Sequence, residues 1–319
     1  MKKKILVTTP ISHIKNFKEK LYKNFIVDLD ENINQKNLLK KVKNYDVIFT
    51  NPNMSKVFFS KKVIEKAKKL KIICTASTGQ NHIDIKSAIS ADIEIVSLRD
   101  KLHIINKISS TAELSIALMF ASIRNIIPAF NDVIKGGWNY LPFIGKQINY
   151  LTVGIIGYGR LGKMFVKMIK PFTKNILIFD RYVKIKGSDK KYQVSLNKLL
   201  RDSDIISLHI HADKSNNNFI EKKKLKKLKK DVLIVNTSRG EVVNETDLLF
   251  FLKKNKNSRY ATDVIKNEIM GKKQSKILNN IHKNNQIIVT PHIGGMTIHA
   301  QEIAYGSVLN ILIKKIRQH

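Results

Sequence analysis

The sequence predicts an α/β protein made of two doubly wound parallel-sheet domains, and three observations lead to this fold class. The chain has 319 residues, 43% of them hydrophobic, which is more than one ordinary core accommodates and enough for two. Short apolar runs alternate with helical segments in two separate series, as parallel sheets with right-handed crossovers require. A turn with the spacing G-x-G-x-x-G, at Gly157, Gly159 and Gly162, lies near the start of the second series.

The first series occupies about the first hundred residues. Short stretches rich in β-branched residues and bounded by polar or turn residues predict strands there. The segment "KKVIEKAKK" between two of them has helical spacing, with Val63, Ile64 and Ala67 on one face. The predicted strands are "KKKILVTT", "FIVDLD", "YDVIFTN", "LKIICTAS" and "IEIVSL".

A long helical segment, from about Ser110 to Ile134, separates the two series. Ser109 or Ser110, followed by Glu113, is a typical helix start because the hydroxyl and the carboxylate can satisfy free backbone N–H groups. The segment is apolar on more than one face. We therefore expect a helix that buries several of its faces.

The second series consists of continuous apolar runs rather than alternating ones, as expected for central strands covered on both faces. Between two of these runs, "EKKKLKKLKK" predicts a surface helix with Leu225 and Leu228 facing inward. The predicted strands are "LTVGIIG", "NILIFD", "DIISLHI", "DVLIVNT", "RYATDV" and "NQIIVTP".

The charge balance is strongly basic, with 58 basic against 25 acidic residues and a net charge of +33. Such a charge raises nucleic acid or an anionic membrane as partners. Only eight of the basic residues are arginine, the residue that base and phosphate readers favour, and the lysines are scattered over the predicted helix surfaces. We expect no specific nucleic-acid partner, but attraction of anionic substrates and nonspecific polyanion binding at low salt.

Cysteine and hydropathy predict a cytoplasmic protein without a membrane partner. Cys74 is the only cysteine, so no intrachain disulfide or cysteine metal cluster forms, and its apolar surroundings predict a buried thiol. The apolar run at the N-terminus is too short for a signal peptide and is ended by Pro10. The most apolar helix candidate, "LSIALMFASI", is too short to span a bilayer.

The glycine-rich turn has the surroundings of a dinucleotide site, with an apolar strand before it and a helical segment after it. In this pattern Gly157 permits the tight turn, Gly159 lets the backbone approach a pyrophosphate, and Gly162 lets the helix pack on the strand. The helix N-terminus offers free N–H groups to the phosphates. Asp180 ends the next strand and can accept the ribose hydroxyls of NAD, which favours NAD over NADP. Arg181 keeps NADP open, because an arginine there could neutralise a 2′-phosphate.

Six stretches, in this order and at compatible spacing, resemble the D-isomer-specific 2-hydroxyacid dehydrogenases, the family of phosphoglycerate, glycerate and D-lactate dehydrogenases. The resemblance covers essentially the whole chain. It implies a Rossmann NAD-binding domain over residues 102–290, inserted into a flavodoxin-like substrate domain formed by residues 1–101 and 291–319. The stretches are "STGQNHID", "STAEL", "GIIGYGRLG" with Asp180, "VNTSRGEVVNE", a looser "TDVIKNE" and "TPHIGGMT".

The family pattern implies a catalytic arginine, glutamate and histidine, which fall on Arg239, Glu268 and His292. Alone, His292 in "VTPHIGGMT" would be an ordinary turn histidine. An imidazole titrates close to working pH, so it can give a proton to the carbonyl oxygen of a 2-keto acid and take it back. A carboxylate at Glu268 would orient the ring and favour the imidazolium, and Arg239 would grip the substrate carboxylate or carbonyl.

The resemblance also implies residues that bind cofactor and substrate. Asp263 is expected to hydrogen-bond the nicotinamide amide, with simple turn capping as the alternative, and backbone N–H groups around Gly79 would receive the substrate carboxylate. The implied cofactor-binding residues are Gly157, Gly159, Arg160, Leu161, Gly162, Asp180, His209, Thr237, Ser238, Asp263, Thr111, Gly294 and Gly295. The implied substrate-binding residues are Asn51, Asn53, Thr78, Gly79, Gln80 and Arg239.

No metal site is expected. His209 and His211 have a metal-like spacing, but no acidic or cysteine partner accompanies them. Most relatives have proline where His211 stands, which leaves the shape of that loop open.

The substrate stays open among glycerate or hydroxypyruvate, lactate, phosphoglycerate and a sugar-derived 2-hydroxy acid. The loop "TNPNMSK" lacks the arginines that often hold the phosphate of phosphoglycerate, although Lys56 is a competent point charge. We also expect no extra C-terminal regulatory domain, since the sequence ends at residue 319. Formate dehydrogenases of the wider family lack the glutamate, so Glu268 argues against that activity.

Two other classes of function remain as alternatives. Some relatives act as transcriptional corepressors, so an NAD-sensing binding protein without turnover is one, and a polyanion-binding protein is the other. The helical segment from Ser110 corresponds to the segment through which relatives form dimers, so we expect a homodimer. We also expect the two domains to hinge over the cofactor and exclude water.

Overall fold

Short runs of β-branched residues form the strands of two separate parallel sheets in the computed structural model, which describes residues 2–52, 57–268, 275–281 and 285–317. The strands are β1 (Lys4–Val7), β2 (Ile26–Leu29), β3 (Val47–Thr50), β4 (Ile72–Thr75), β5 (Glu94–Val96), β6 (Val153–Ile156), β7 (Ile176–Phe179), β8 (Ile205–Leu208), β9 (Leu233–Asn236), β10 (Arg259–Thr262) and β11 (Ile287–Val289).

Helices connect these strands, as the alternating pattern of the sequence predicts. They are α1 (Phe17–Asn24), α2 (Gln35–Lys41), α3 (Lys61–Lys66), α4 (Ile85–Ser90), α5 (Leu102–Ile105), α6 (Ser110–Ile123), α7 (Ile126–Ile134), α8 (Arg160–Ile169), α9 (Leu196–Asp202), α10 (Lys222–Leu225), α11 (Glu245–Lys254), α12 (Lys276–Asn280) and α13 (Ile298–Ile316).

The chain divides into two units, Met1–Ile108 with Gly295–His319, and Ser109–Gly294. The boundaries that the sequence suggests, after residues 101 and 290, lie a few residues before these. The difference has a packing reason at each boundary. Ile105 is buried in the core of the first unit, and Gly294 is tied to the second unit by a hydrogen bond from its N–H to Asp263.

The sheet of the first unit has the strand order β2-β1-β3-β4-β5, with all neighbours parallel. This is the flavodoxin-like order. Alternate residues of β1 serve opposite faces: Ile5 and Val7 pack in a cluster with α1 and α13, and Leu6 packs in a cluster with α2 and α3. Both faces are therefore covered, and the buried Cys74 lies in the first of these clusters as expected.

The sheet of the second unit has the order β11-β10-β9-β8-β6-β7, again with parallel neighbours. A single parallel bridge from Gln193 to Ile178 adds the remnant of one more strand beside β7. With that remnant, the order becomes that of a Rossmann sheet with an additional edge strand. Apolar clusters cover both faces, one with α6 and α8 and the other with α9 and α11.

The prediction of one continuous helical segment from Ser110 to Ile134 is wrong in one respect. The segment forms two helices, α6 and α7, with an angle of 63° between them. Asn125 breaks it by adopting a left-handed backbone, with φ 54°. Ser109 precedes α6, but its hydroxyl donates to the Glu113 carboxylate and no side-chain cap forms at Ser109, so the predicted capping of backbone N–H groups by Ser109 or Ser110 is not found among the described residues. In the described residues no single helix is long and apolar enough to cross a membrane, and only the bent pair α6 and α7 satisfies that criterion when taken together.

The predicted surface helix in "EKKKLKKLKK" is shorter than the pattern indicates, since α10 covers only Lys222–Leu225. Leu225 and Leu228 are buried as predicted. The residues after Leu225 form turns, in which the side chains of Lys227 and Lys229 donate to Asn197 and Asp204.

Candidate active site

Three neighbouring strands of the second unit end close to the predicted catalytic residues. Arg239 follows β9, Glu268 follows β10 and His292 follows β11, and these strands are adjacent and parallel in the order β11-β10-β9. Parallel strands present their carboxyl ends at the same edge of a sheet, where open α/β folds place their ligands. The topology therefore puts all three segments at one edge.

His292 and Glu268 are in direct contact. The Nδ1 atom of His292 lies 2.8 Å from Oε1 of Glu268, and the two side chains keep 21% and 22% of their surface exposed. His292 itself has a left-handed backbone, with φ 56°, and its N–H donates to the carbonyl of Asp263 at 3.0 Å. The carboxylate fixes the orientation of a ring that is still accessible.

Asp263 holds the turn that carries His292. Its buried carboxylate accepts the Thr290 hydroxyl at 2.6 Å, the N–H of Ile293 at 2.8 Å and the N–H of Gly294 at 2.7 Å. Burial raises the pKa of this carboxyl, and the three hydrogen bonds oppose that effect. These contacts match the turn-capping alternative, and a contact with the nicotinamide amide stays a prediction.

Arg239 lies in a turn that Asn236 organises. The amide of Asn236 donates to the carbonyl of Arg239 at 3.0 Å, and its oxygen accepts the N–H of Ser238 at 3.0 Å. One guanidinium nitrogen of the half-buried Arg239 donates to the carbonyl of Ser238 at 2.7 Å. The next residue, Gly240, needs its missing side chain, because a Cβ there would overlap the backbone of Ile265. The arginine turn thus packs directly on the loop that leads to Glu268.

The glycine-rich turn follows β6 and begins α8. Gly157 has φ 97°, and a Cβ on it would overlap the carbonyl of His209, while a Cβ on Gly162 would overlap the carbonyl of Gly157. Apart from the adjoining backbone, no heavy atom of the described residues lies within 4 Å of the position a Cβ would take on Gly159. Packing therefore explains two of the glycines, and open space above the third fits a ligand that approaches the backbone at the N-terminus of α8.

Asp180 follows β7 and is already held by backbone groups. It accepts the N–H of Tyr158 at 2.6 Å and those of Tyr182 and Val183, each at 2.8 Å. A carboxylate has about four acceptor positions, so about one remains for a ribose hydroxyl. Beside it, the guanidinium of Arg181 lies 5.8 Å from the Tyr182 ring centroid.

His209 turns its ring away from the loop surface. Its Nε2 lies 2.9 Å from the Ser207 hydroxyl, its ring centroid lies 5.0 Å from that of Phe165, and burial lowers its pKa to about 4. The backbone carbonyl of His209, rather than its side chain, faces the glycine turn at Gly157.

The other implied cofactor residues lie around the same sheet edge, apart from Gly295, which falls in the first unit. The Thr111 hydroxyl donates to the carbonyl of Gly294 at 3.1 Å, and the buried Thr237 hydroxyl lies 2.6 Å from that of Ser115. Arg160 and Leu161 form the first turn of α8, where burial lowers the pKa of the Arg160 guanidinium. These contacts hold the segments in place, and the cofactor roles stay predictions.

Apart from Arg239, the implied substrate residues that the structure describes lie in the first unit, after β3 and β4. Asn51 is buried and its amide donates to the Tyr305 hydroxyl at 3.1 Å, whereas Asn53 lies outside the described residues, as Lys56 does. Thr78, Gly79 and Gln80 form a loop in which the Ser77 hydroxyl donates to the carbonyl of Gly79 at 2.6 Å.

Gln80 occupies a fixed position in that loop. Its amide donates to the Ser97 hydroxyl at 2.8 Å, and its oxygen accepts Nη1 of Arg99 at 3.2 Å. Arg99 was not among the site residues predicted from the sequence. Its position directly after a strand was the available signal.

Glu245 is a second residue that sequence reasoning did not single out, although it ends the stretch "VNTSRGEVVNE". It is buried, with 7% of its surface exposed, and accepts hydrogen bonds from the loop around Glu268. A glutamate at the start of a helix is often solvent-exposed, so its position in the sequence does not predict that Glu245 is buried.

Comparisons with known proteins agree on one family. The model of the D-isomer specific 2-hydroxyacid dehydrogenase, NAD binding domain, matches residues 116–294. The D-3-phosphoglycerate dehydrogenase of Methanocaldococcus jannaschii is 33% identical over 318 residues, covering 98% of this chain and 57% of that enzyme. The glyoxylate reductase of Thermococcus litoralis is 32% identical over 274 residues, covering 83% of this chain and 78% of that enzyme. This chain thus spans little more than half the length of the phosphoglycerate dehydrogenase it resembles.

A solved structure shows the same fold. The D-lactate dehydrogenase of Aquifex aeolicus, determined in complex with NAD and lactic acid, superposes with a TM-score of 0.81 at 22% identity, covering 98% of this chain and 95% of that one. The matched residues include those of both units. At 22% sequence identity, the similarity is evidence of the fold alone.

Proposed function

Because the chain belongs to the D-isomer-specific 2-hydroxyacid dehydrogenase family and carries its NAD-binding domain, we propose that it interconverts a D-2-hydroxy acid and its 2-keto acid with NAD. The observation that carries the proposal is the contact between Nδ1 of His292 and Oε1 of Glu268, 2.8 Å long, at the ligand-binding edge of the sheet. A histidine oriented by a carboxylate is an arrangement well suited to acid–base catalysis near neutral pH.

His292 exchanges the proton through Nε2, because Nδ1 is engaged by Glu268. In keto-acid reduction, Nε2 gives its proton to the carbonyl oxygen of the substrate, and in the reverse direction it takes the proton from the hydroxyl. The negative charge of Glu268 stabilises the imidazolium that precedes proton donation. When bound, the reduced nicotinamide supplies the hydride for the carbonyl carbon.

Arg239 clamps the substrate. Its charge is permanent, and its planar fork matches a carboxylate or a polarised carbonyl oxygen. Its turn is held by Asn236, and the next residue, Gly240, packs on the backbone of Ile265 in the loop that leads to Glu268, which supports a place for the guanidinium near the acid–base pair. A positively charged donor placed there also stabilises the charge that develops on the carbonyl oxygen.

The glycine-rich turn and Asp180 are the residues that would hold NAD. The backbone N–H groups at the start of α8 would receive the pyrophosphate, and the open space at Gly159 lets the phosphate approach. Asp180 would accept a ribose hydroxyl and repel a 2′-phosphate, which favours NAD. Asp263 and Thr111 are placed around Gly294, where the nicotinamide end would lie.

The substrate is a small 2-keto acid. Hydroxypyruvate, pyruvate, 3-phosphohydroxypyruvate and sugar-derived acids are the candidates from the sequence, and the name of a relative, glyoxylate reductase, adds glyoxylate. Within the first unit, the loop of Gly79 and Gln80 would receive the substrate carboxylate, with Arg99 as an additional cation beside Gln80.

A homodimer is the proposed assembly. A second copy of the chain would cover the exposed apolar side chains of α7 and of the segment that follows it. Phe130 is 61% exposed and Trp138 is 88% exposed, which is unusual for aromatic side chains unless a partner covers them. The other exposed apolar residues of this surface are Ile126, Ile127, Val133, Ile134, Tyr140, Leu141, Ile144 and Tyr150.

The test is oxidation of NADH by a panel of 2-keto acids, followed by the absorbance of the reduced nicotinamide. The panel consists of hydroxypyruvate, glyoxylate, pyruvate and 3-phosphohydroxypyruvate, and His292→Asn is the control. We expect turnover with at least one acid that the control lacks. If NADH binds but none of these acids oxidises it, the proposal is contradicted. That result would favour the alternative of an NAD-binding protein without turnover.

A further inference from the structure

A buried carboxylate outside the acid–base pair contacts the loop that carries Glu268. Glu245 is the first residue of α11 and only 7% of its surface is exposed. Its Oε1 accepts the N–H of Lys266 at 3.1 Å, and its Oε2 accepts the N–H of Lys276 at 2.7 Å. The hydroxyl of Ser275 donates to the same carboxylate at 3.1 Å, and the N–H of Ile277 donates to it at 3.3 Å.

The sequence positions of these donors give the contact its meaning. Lys266 lies two residues before Glu268, and Ser275, Lys276 and Ile277 lie after it. One carboxylate therefore holds the described backbone both before and after Glu268, the partner of the catalytic histidine. A buried carboxylate is stable only with such a set of donors, and the N-terminus of α11 adds a favourable dipole.

Two neighbouring residues on the same segment reinforce the attachment. The carboxylate of Glu241 accepts the N–H of Asn267 at 3.2 Å, directly before Glu268. Gly240 packs on the backbone of Ile265 so closely that no Cβ would fit. The segment from Arg239 to Glu245 thus contacts residues 265–267 along its length.

We propose that Glu245 is a positioning residue: through the backbone of Lys266 and of residues 275–277 it sets the place of Glu268 and so the contact of Glu268 with His292. In this role it acts through the backbone that its carboxylate holds, and not through contact with the substrate or the cofactor. Because Arg239 and Glu245 belong to one continuous segment, the substrate clamp and the acid–base pair are held in a common frame. This inference rests on the proposed function, in which His292 and Glu268 act together.

Glu245→Gln tests the proposal in the full-length protein. The amide has nearly the same shape but brings an NH2 group toward backbone donors, so one attachment of the loop is lost. Asp247→Asn is the matched control. Asp247 lies in the same helical turn, and its carboxylate accepts the N–H of Lys222, which is not part of the backbone next to Glu268. Should Glu245→Gln fail to fold, Glu245→Asp keeps the charge, withdraws the carboxylate by one methylene and has the same expected outcome.

Two readouts separate positioning from a merely structural role. The first is the pH profile of kcat for keto-acid reduction by NADH, with the KM for NADH measured in parallel. The second needs no cofactor and follows the His292 ring resonances against pH in the protein alone, assigned by their loss in His292→Asn. Among the described residues, Glu268 contacts His292 and Asp263 interacts with it electrostatically, and both carboxylates are intact in Glu245→Gln.

We expect Glu245→Gln to lower kcat roughly 10- to 100-fold, as displacement of a catalytic group by about 1 Å does, with little change in the KM for NADH. The alkaline limb of the profile and the titration of the His292 ring should move to lower pH, in the same direction as in Glu268→Gln. In the double variant with Glu268→Gln, Glu245→Gln should add no further shift, because both changes remove one interaction. Asp247→Asn should behave as the unaltered protein.

The contrary results are distinct. A Glu245→Gln protein that loses only thermal stability, while Glu268→Gln moves the profile, overturns the positioning role and leaves the proposed function intact. If Glu268→Gln itself leaves the profile and the ring titration in place, the acid–base pair fails and the role of Glu245 fails with it.

Discussion

The Nδ1 atom of His292 lies 2.8 Å from Oε1 of Glu268, although 24 residues of chain separate them. The contact follows from the sheet, since β10 and β11 are parallel neighbours with Thr262 opposite Val289, and both chains leave the sheet at the same edge. Asp263 then holds the histidine turn through the N–H groups of Ile293 and Gly294. The pair is therefore built by the ends of two strands and not by a local motif.

His292→Asn should cut turnover by about 10²- to 10⁴-fold, because asparagine cannot give the proton that the carbonyl oxygen needs. NADH binding should stay near normal, since the glycine turn and Asp180 are unaltered. Steady-state kinetics of keto-acid reduction and fluorescence titration with NADH measure the two effects. Near-full activity in this variant would end the acid–base assignment.

Glu268→Gln should move the pH optimum of keto-acid reduction to lower pH. Reduction requires a protonated His292, and an imidazolium that has lost its neighbouring carboxylate gives up its proton earlier as the pH rises. The measurement is kcat/KM against pH, and Glu65→Gln, which removes a 60%-exposed carboxylate on α3, is the control. A profile that stays in place would count against the pair.

Asp180→Ala should raise the KM for NAD more than the KM for NADP, by roughly 10-fold, the value of a hydrogen bond to a charged group. The carboxylate also holds Tyr158 in the glycine turn, so both cofactors lose some affinity and the ratio between them is the informative quantity. Arg181→Ala is the complementary variant and should weaken NADP alone. An unchanged ratio in Asp180→Ala would remove the ribose role.

Phe130→Asp should convert a dimer into a monomer, as seen by sedimentation velocity. The side chain is 61% exposed in a single chain, so the substitution leaves the core intact and places a charge in the proposed contact. Phe250→Asp is the matched control, because Phe250 is 53% exposed on a different helix, α11. A native protein that is already monomeric would contradict the proposed assembly.

His82 should make the first unit sensitive to acid. Only 1% of its surface is exposed, and neither ring nitrogen has a hydrogen-bond partner in the described part of the chain. Burial lowers its pKa to about 4 from 6.5, so below pH 6.5 the unfolded chain takes up a proton that the folded state refuses. The free energy of unfolding therefore decreases as the pH is lowered below 6.5, and at pH 5 the loss is about 2 kcal/mol.

His82→Leu removes this titration. The variant should match the native protein at pH 8 and exceed its free energy of unfolding at pH 5, as measured by denaturant unfolding. His103→Leu is the control, because His103 lies exposed on α5 of the same unit. An equal loss of stability on acidification in native protein and His82→Leu would rule out His82 as the cause.

The strands and the glycine turn were predictable because their signals are local. Runs such as "LTVGIIG" and "NILIFD" form strands at the expected places, because a β-branched, apolar stretch favours a buried parallel strand whatever lies elsewhere in the chain. The helix break at Asn125 was not predictable from these signals. A left-handed asparagine interrupts a segment whose apolar spacing continues on both sides.

The sequence by itself determined the two alternating series, the order of the strands along the chain and which residue types were available at their ends. The pairing of Glu268 with His292 came only from the family resemblance, and the tertiary structure supplied the contact itself; the tertiary structure alone decided that Asp263 holds the histidine turn and that Glu245 is buried against the backbone next to Glu268. The physical reason is range. Backbone conformation follows from neighbours a few residues away, whereas these carboxylates are paired with donors more than twenty residues distant, which only the packing of parallel strands brings within hydrogen-bond distance.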